Sequence, residues 1–204
     1  MLTNILLISF LLFVSGCSIF AALQHLSRRP YLTILDVQKL LRQVTSADVV
    51  QLLDSRFEDA TCLVLSRDRF QEAQRLRLHE FREYLSRMSH NASVLLTWAN
   101  TEIWRETKFM PGMPDRERYI DLSRRLISAA IEFRLYALFA LFRINIWMIF
   151  RTHPWMPFSS ARIASLREIG GIKFYASYQH LREAVGDLCL AYGEDFYEDM
   201  MSVI

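Results

Sequence analysis

The sequence has little of the material from which loops, disulfide frameworks and lysine-rich surfaces are built. Its 204 residues include six glycines, five prolines, three cysteines and three lysines. So few glycines and prolines favour long helices, and the apolar fraction of 52% is higher than that of an average soluble domain. We therefore expect an all-α protein with few loops.

The cysteines do not form a recognisable framework. Cys17, Cys62 and Cys189 lack metal-ligand spacing, and the last two lie within apolar helical sequence. We expect both to be small buried hydrophobic residues, since free cysteine behaves as one. A disulfide between Cys62 and Cys189 is the alternative if the body of the chain is exported from the cytoplasm. The sequence predicts no metal or cofactor site.

A strong excess of one charge is also missing. The net charge is only +2, and the 24 lysines and arginines are interspersed with 22 acidic residues along the same segments. Nucleic-acid binding normally requires a basic patch on one face, so we predict no nucleic-acid partner. The chain also lacks a recognisable spacing for nucleophilic, metal or phosphate chemistry. This favours a non-enzymatic protein, although helical enzymes can assemble sites from scattered residues.

The longest apolar run lies at the start of the chain. No charged residue occurs from Asn4 to Leu23, and twenty helical residues span the roughly 30 Å hydrocarbon core of a bilayer. Arg28 and Arg29 follow the run, whereas only the amino terminus precedes it, so the positive-inside rule places the body in the cytoplasm. We therefore predict a single-pass anchor in the lipid bilayer, residues 1–25, and one all-α domain, residues 26–204.

The same run has a second interpretation. Val14, Ser15, Gly16 and Cys17 resemble the signal of a bacterial lipoprotein, in which the cysteine is lipidated and becomes the new N-terminus. The body would then lie outside the cytoplasm. Two features argue against cleavage, because no lysine or arginine precedes the run and apolar residues continue beyond the cysteine. The retained anchor is the favoured interpretation, and lipidation of Cys17 is the alternative.

After the anchor, the apolar pattern predicts a helical bundle built on a long antiparallel hairpin. From Ser66 to Lys108 the chain has no glycine or proline, and apolar residues recur at alternating spacings of three and four. Such a heptad seam packs one helix against another. The seam consists of Leu78, Phe81, Leu85, Met88, Ala92, Leu95 and Ala99. The turn sequence from Met110 to Pro114 ends this helix, and a second helix is expected to run back from Asp115 to Arg151.

Three charged residues in the apolar part of the returning helix, 126–150, are candidates for a binding site. Glu132 and Arg143 share one stripe of this helix, and Arg134 lies on nearly the opposite side. Because buried charges are costly unless paired, we expect them either to form ion pairs with neighbouring helices or to line a cavity where the arginines hold an anion. The same cost argues against a second membrane span. We interpret this helix as the centre of the bundle, surrounded by neighbours.

Together these features predict a membrane-anchored interaction or scaffolding protein. A protein partner, or a second copy of the chain, would bind through the heptad seam, which should then expose an apolar patch between residues 92 and 104. A seam that is buried within one chain would instead be core. The alternative function is a membrane-associated ligand-binding bundle or enzyme with its site near Glu132, Arg134 and Arg143.

Overall fold

Helices account for all the regular structure in the residues that the computed structural model describes, which are 32–109, 115–152 and 172–204. These helices are α1 (Ile34–Leu40), α2 (Ser46–Leu53), α3 (Ser55–Val64), α4 (Arg67–Phe109), α5 (Arg116–Thr152), α6 (Ile172–Tyr192) and α7 (Glu194–Val203). They belong to a compact unit that begins at Thr33 and ends at Ile204. Within the described ranges, the predicted all-α class and the bundle packing are confirmed.

Two of the short helices, α1 and α3, begin where a side-chain oxygen bonds to a free backbone N–H. Before α1, the Thr33 hydroxyl accepts from the backbone N–H of Asp36 (3.3 Å), and the Asp36 carboxylate accepts from the backbone N–H of Thr33 (3.1 Å). Bonding to Thr33 also lowers the pKa of Asp36. Before α3, the Asp54 carboxylate accepts from the backbone N–H of Arg56 at 2.9 Å. Such caps stabilise helices that are too short to be stable alone.

An aromatic cluster joins the three long helices near one end of the bundle. Phe174 of α6 lies between α4 and α5, with its ring centre 5.9 Å from that of Phe81 and 5.0 Å from that of Phe133. Tyr178, one turn further along α6, lies 5.3 Å from Phe133. All four side chains are at most 1% exposed. Residue 81 of α4 and residue 133 of α5 are therefore at the same level of the bundle.

A second aromatic cluster lies at another level of the bundle. Together with the first cluster, it shows in which direction each long helix runs. The ring of Tyr192 on α6 is centred 6.1 Å from that of Trp98 on α4 and 5.5 Å from that of Tyr119 on α5. From the first cluster to the second, residue numbers rise along α4 and α6 and fall along α5. The helices α4 and α5 therefore form the antiparallel hairpin that the sequence predicts, and α6 runs parallel to α4.

The heptad seam predicted on α4 is part of the core. All seven of its residues are buried, and five of them have no exposed surface: Leu85, Met88, Ala92, Leu95 and Ala99. The chain buries this seam without a second molecule. The prediction that the seam exposes an apolar patch for a partner is therefore wrong, because α5 and α6 already occupy that side of α4.

Among the described helices, α5 has neighbours on one side only, whereas the sequence predicted neighbours all round it. Its main neighbours are α4 and α6, which cover one side of the helix. This side carries a buried inner row: Leu126, Ala130, Phe133, Ala137, Ala140 and Ile144. The opposite side remains exposed although it is also apolar. The prediction took apolar residues on all sides of the helix to mean burial on all sides. Two long neighbours in the described ranges cover only one side of it.

The two membrane predictions concern different parts of the chain. The anchor predicted for residues 1–25, which includes Cys17, lies outside the described residues. Among the helices of the described ranges, none combines the length and the apolar character that crossing a bilayer requires. The segment 126–150, for which a second span was considered, lies within α5 and packs its inner row into the bundle.

The C-terminal residues are bonded to the rest of the bundle. Between α6 and α7, Gly193 has a φ of 137°, which lies in the region that favours glycine. The turn brings α7 back to the body, where the Tyr178 hydroxyl donates to the carbonyl of Ile204 (2.8 Å). The backbone N–H of Val44 donates to the carbonyl of Val203 (3.1 Å). These bonds connect residues 203 and 204 to α6 and to the segment between α1 and α2.

Replacing a seam residue should destabilise the whole bundle. We expect Leu95→Ala to lower the free energy of unfolding by about 2–5 kcal/mol, because it removes a fully buried side chain and leaves a cavity. Leu76→Ala on the same helix is the matched control, since Leu76 is 62% exposed, and should change that free energy by less than about 0.5 kcal/mol. Urea unfolding followed by circular dichroism measures both. Equal losses in the two variants would contradict the buried position of the seam.

Candidate functional site

The charged residues predicted to form a site do not meet in the core. Glu132 is exposed, and its Oε2 lies 3.7 Å from Nδ1 of His180 on α6. Arg143 is exposed, and its guanidinium carbon lies 5.0 Å from the centre of the Phe139 ring on the same helix. Arg134 is half-buried. The expectation of buried charges is wrong for Glu132 and Arg143, because solvent reaches their side of α5; a ligand-binding role for the three residues stays a prediction.

A row of exposed apolar side chains lies on the same helix. Ile131, Leu135, Leu138 and Phe142 are 47%, 64%, 65% and 58% exposed, and Phe139 beside them is also more than half exposed. We call these five residues the α5 outer stripe. The first four follow one another at spacings of four, three and four, which places them on one face of a helix, as in a coiled-coil seam. Contiguous exposed apolar surface of this kind marks interaction sites.

Two charges of opposite sign border the α5 outer stripe. Glu132 follows the first residue of the stripe and Arg143 follows the last. Eleven residues are close to three helical turns, so the two charges lie on the same edge, roughly 16 Å apart along the helix axis. At that distance the side chains cannot bond to each other within one chain. The stripe therefore has an acidic end and a basic end along one edge.

A second polar assembly, the Glu102 cluster, is buried in the C-terminal part of α4. Glu102 and Glu106 are 2% and 3% exposed. Glu102 Oε1 accepts from the indole N–H of Trp98 (3.0 Å), and its Oε2 accepts from the hydroxyl of Tyr192 (2.5 Å). The Nη2 of Arg105 lies 2.7 Å from Glu102 Oε2 and 3.5 Å from Glu106 Oε1. It also donates to the Tyr192 hydroxyl at 2.9 Å.

The Glu102 cluster was not predicted, although the heptad pattern of the sequence contains the signal for it. Glu102 follows Ala99 by three residues and Glu106 follows Glu102 by four, so the alternation of the seam continues onto two carboxylates. Because only apolar residues were assigned to the seam, the predicted seam ends at Ala99. Buried ion pairs were expected on the returning helix, whereas on α4 the buried Glu102 pairs with the partly exposed Arg105.

The Glu102 cluster attaches the end of α6 to α4. Burial raises the pKa of Tyr192 far above its usual range, and the hydrogen bond to Glu102 raises it further. For Arg105, desolvation opposes the charged form, but Tyr192, Glu102 and Glu106 outweigh it and raise the pKa. Both oxygens of Glu102 are bonded within the chain. This carboxylate therefore serves packing rather than acid–base chemistry on a substrate.

A groove of about 600 Å³ lies between α4 and the short helices α2 and α3. Two of its polar side chains, Arg77 and Tyr84, are bonded to α2 or to the residue that follows it. Arg77 donates from Nε to the carbonyl of Leu52 (2.9 Å) and from Nη2 to the carbonyl of Asp54 (2.7 Å), which satisfies acceptors that the end of α2 leaves unbonded. The Tyr84 hydroxyl donates to Asp48 (2.7 Å). These bonds attach α2 to α4. Arg77 and Tyr84 therefore line the groove because they hold the two helices together.

The cysteine prediction is confirmed where the structure describes it. Cys189 is a free thiol with no exposed surface, so the alternative disulfide between Cys62 and Cys189 is not formed. Burial raises the pKa of the Cys189 thiol to about 12. The thiol is therefore protonated at neutral pH and unreactive as a nucleophile.

The α5 outer stripe is the candidate interaction site. Within the described ranges, no three histidine, cysteine, aspartate or glutamate side chains lie together in a way that could hold a metal ion. Comparison with known proteins finds no match among family models, curated proteins or solved structures. The α5 outer stripe is an apolar surface that stays exposed in the part of the chain that the structure describes.

Alkaline pH should destabilise the protein, and Tyr192 should contribute to the loss. Unfolded tyrosine ionises near pH 10, whereas buried Tyr192 keeps its proton. The folded state then binds more protons, so stability is present below about pH 10 and declines above it. We expect Tyr192→Phe to make this decline shallower.

The melting temperature measured from about pH 9 to pH 11 tests this. The slope is compared rather than the absolute stability, because Tyr192→Phe loses a hydrogen bond at every pH. Tyr136→Phe is the control, since Tyr136 is 38% exposed on α5, and should leave the slope unchanged. A Tyr192→Phe slope equal to that of the native chain would show that Tyr192 does not hold its proton more tightly when folded.

Proposed function

We propose that the protein is a membrane-anchored helical interaction protein whose α5 outer stripe binds a helix of a protein partner. The observation that supports this is the exposure of the stripe, in which four apolar residues at coiled-coil spacing and Phe139 face solvent in the folded chain. Covering such a row with another helix removes apolar surface from water, which favours association. This binding surface lies on α5, whereas the sequence predicted a binding surface at the seam of α4.

The two faces of α5 explain why the stripe fits a helix. The inner row alternates by four and three, and α4 and α6 cover it. The outer stripe repeats the same alternation on the opposite side, where no such cover is present in the described residues. A helix with two rows of this kind can pack against neighbours on both sides.

The predicted anchor adds a location to this function. The uncharged run from Asn4 to Leu23 and the following Arg28 and Arg29 support a body held at the cytoplasmic side of a membrane. A ligand-binding bundle or enzyme near Glu132, Arg134 and Arg143 has less support, because Glu132 and Arg143 lie on the surface.

Photo-cross-linking from the stripe tests the interaction. We expect a benzophenone amino acid in place of Leu138, in the full chain expressed in cells, to give protein adducts of discrete mass on irradiation. The same group in place of Leu190, which is 51% exposed on α6, is the matched control and should give none. Leu135→Asp should abolish the adducts from position 138. Adducts with lipid alone, or equal adducts from both positions, would contradict a protein partner at the stripe.

The mature N-terminus tests the anchor. We expect the intact mass of protein purified from membranes to correspond to a chain that begins at or near Met1, because the apolar run lacks the basic residues that usually precede a cleaved signal. A chain that begins at a lipid-modified Cys17 would contradict the retained anchor and would place the body outside the cytoplasm.

A further inference from the structure

We infer that the occupant of the α5 outer stripe is a second copy of this chain, bound antiparallel across a two-fold axis, with Glu132 of each copy paired to Arg143 of the other. This inference rests on the proposed function, because it names the partner for the same surface. It is carried by two properties of the stripe, the symmetry of its apolar spacing and the placement of its two bordering charges.

The apolar residues of the stripe are complementary to themselves when reversed. Their spacings of four, three and four read the same in both directions. With the axis midway between Leu135 and Leu138, Ile131 of one copy faces Phe142 of the other, and Leu135 faces Leu138. Antiparallel helices that pack through heptad rows make layers of this kind. The contact is isologous, so the same patch serves both copies and the assembly closes as a dimer.

The charges select the same arrangement. The midpoint between Glu132 and Arg143 lies one residue from the midpoint of the apolar pairs. One axis therefore aligns the apolar layers and also brings each Glu132 opposite Arg143 of the other copy, twice by symmetry. Phe139 lies on this edge between the two charges, and the guanidinium of Arg143 is already held over its ring, 5.0 Å from the centre.

Other occupants fit these charges less well. A parallel two-fold pair would place the charged edges of the two copies on opposite flanks of the contact, so Glu132 of one copy would not meet Arg143 of the other. An anionic lipid surface would attract Arg143 and repel Glu132. A partner with reversed charges is complementary to both ends, and the chain itself supplies that sequence when it is turned around.

Charge exchange on the purified full chain tests the pair. The chain carries benzophenone at Leu138 and is reconstituted alone in neutral phosphatidylcholine vesicles, so a protein adduct can only be a second copy, at twice the mass of 24.0 kDa. We expect Glu132→Arg and Arg143→Glu each to weaken association by about 5–30-fold, because each places two like-charge pairs in the dimer. The double variant Glu132→Arg with Arg143→Glu should return to within about threefold of the native chain, since both pairs are restored in reverse.

Two controls make the result specific to the dimer. Arg125→Glu changes the same amount of charge on α5 outside the stripe, where Arg125 is exposed and 3.0 Å from Asp121, and should leave the adduct unchanged. Circular dichroism should show equal helicity in all variants, because Glu132 and Arg143 are exposed. Within one chain the exchanged charges are too far apart to bond, so recovery in the double variant reports a contact between copies.

The outcomes separate this inference from the proposed function. Loss in both single variants with recovery in the double variant supports the antiparallel pair. An adduct that neither single variant weakens, or a loss without recovery, overturns the pairing of Glu132 with Arg143. If purified copies give no adduct while cells give adducts with another protein, the second copy is overturned and the proposed function stands. Lipid adducts alone in both settings overturn both.

Discussion

The burial of one side of α4 is the constraint on which the rest of the structure depends. Its alternating row is buried from Leu78 to Ala99 and continues through Glu102 and Glu106. A row of this length needs long helices beside it, and α5 and α6 supply them in alternating directions. The short helices α1, α2 and α3 add further packing against α4. The core of the described residues is thus built on the contact of α4 with α5, and α5 packs in turn against α6.

The same constraint produces the exposed face of α5. Because α4 and α6 both lie on the inner side of α5, its outer side receives no long neighbour within the described residues, although it carries an equivalent apolar row. The inner row is rich in alanine and lets the helices approach closely, whereas the outer stripe has larger leucine and phenylalanine side chains. The described residues bury a core and still present an apolar row to solvent, and this row is the observation behind the proposed interaction role.

Sequence periodicity predicted the position of the core better than the position of the charges. The seven seam residues of α4 were identified correctly because an apolar row of period three and four has a defined inward face. Glu132 and Arg143 were expected to be buried because their helix is apolar all round. Glu102 was overlooked because a carboxylate in a core position is unusual. In both cases the error came from treating local hydrophobicity as a measure of burial.

What the sequence by itself determined is the all-α class, the long helices α4 and α5, and the buried row of α4, because the scarcity of glycine and proline and helical periodicity act along one segment of chain. Only the tertiary structure decided which of the two apolar rows of α5 is covered, because coverage depends on the number and placement of neighbouring helices. It also decided that Glu102 can be buried, since the carboxylate is satisfied by Tyr192, which lies 90 residues away along the chain. Neither fact follows from the periodicity of a single helix.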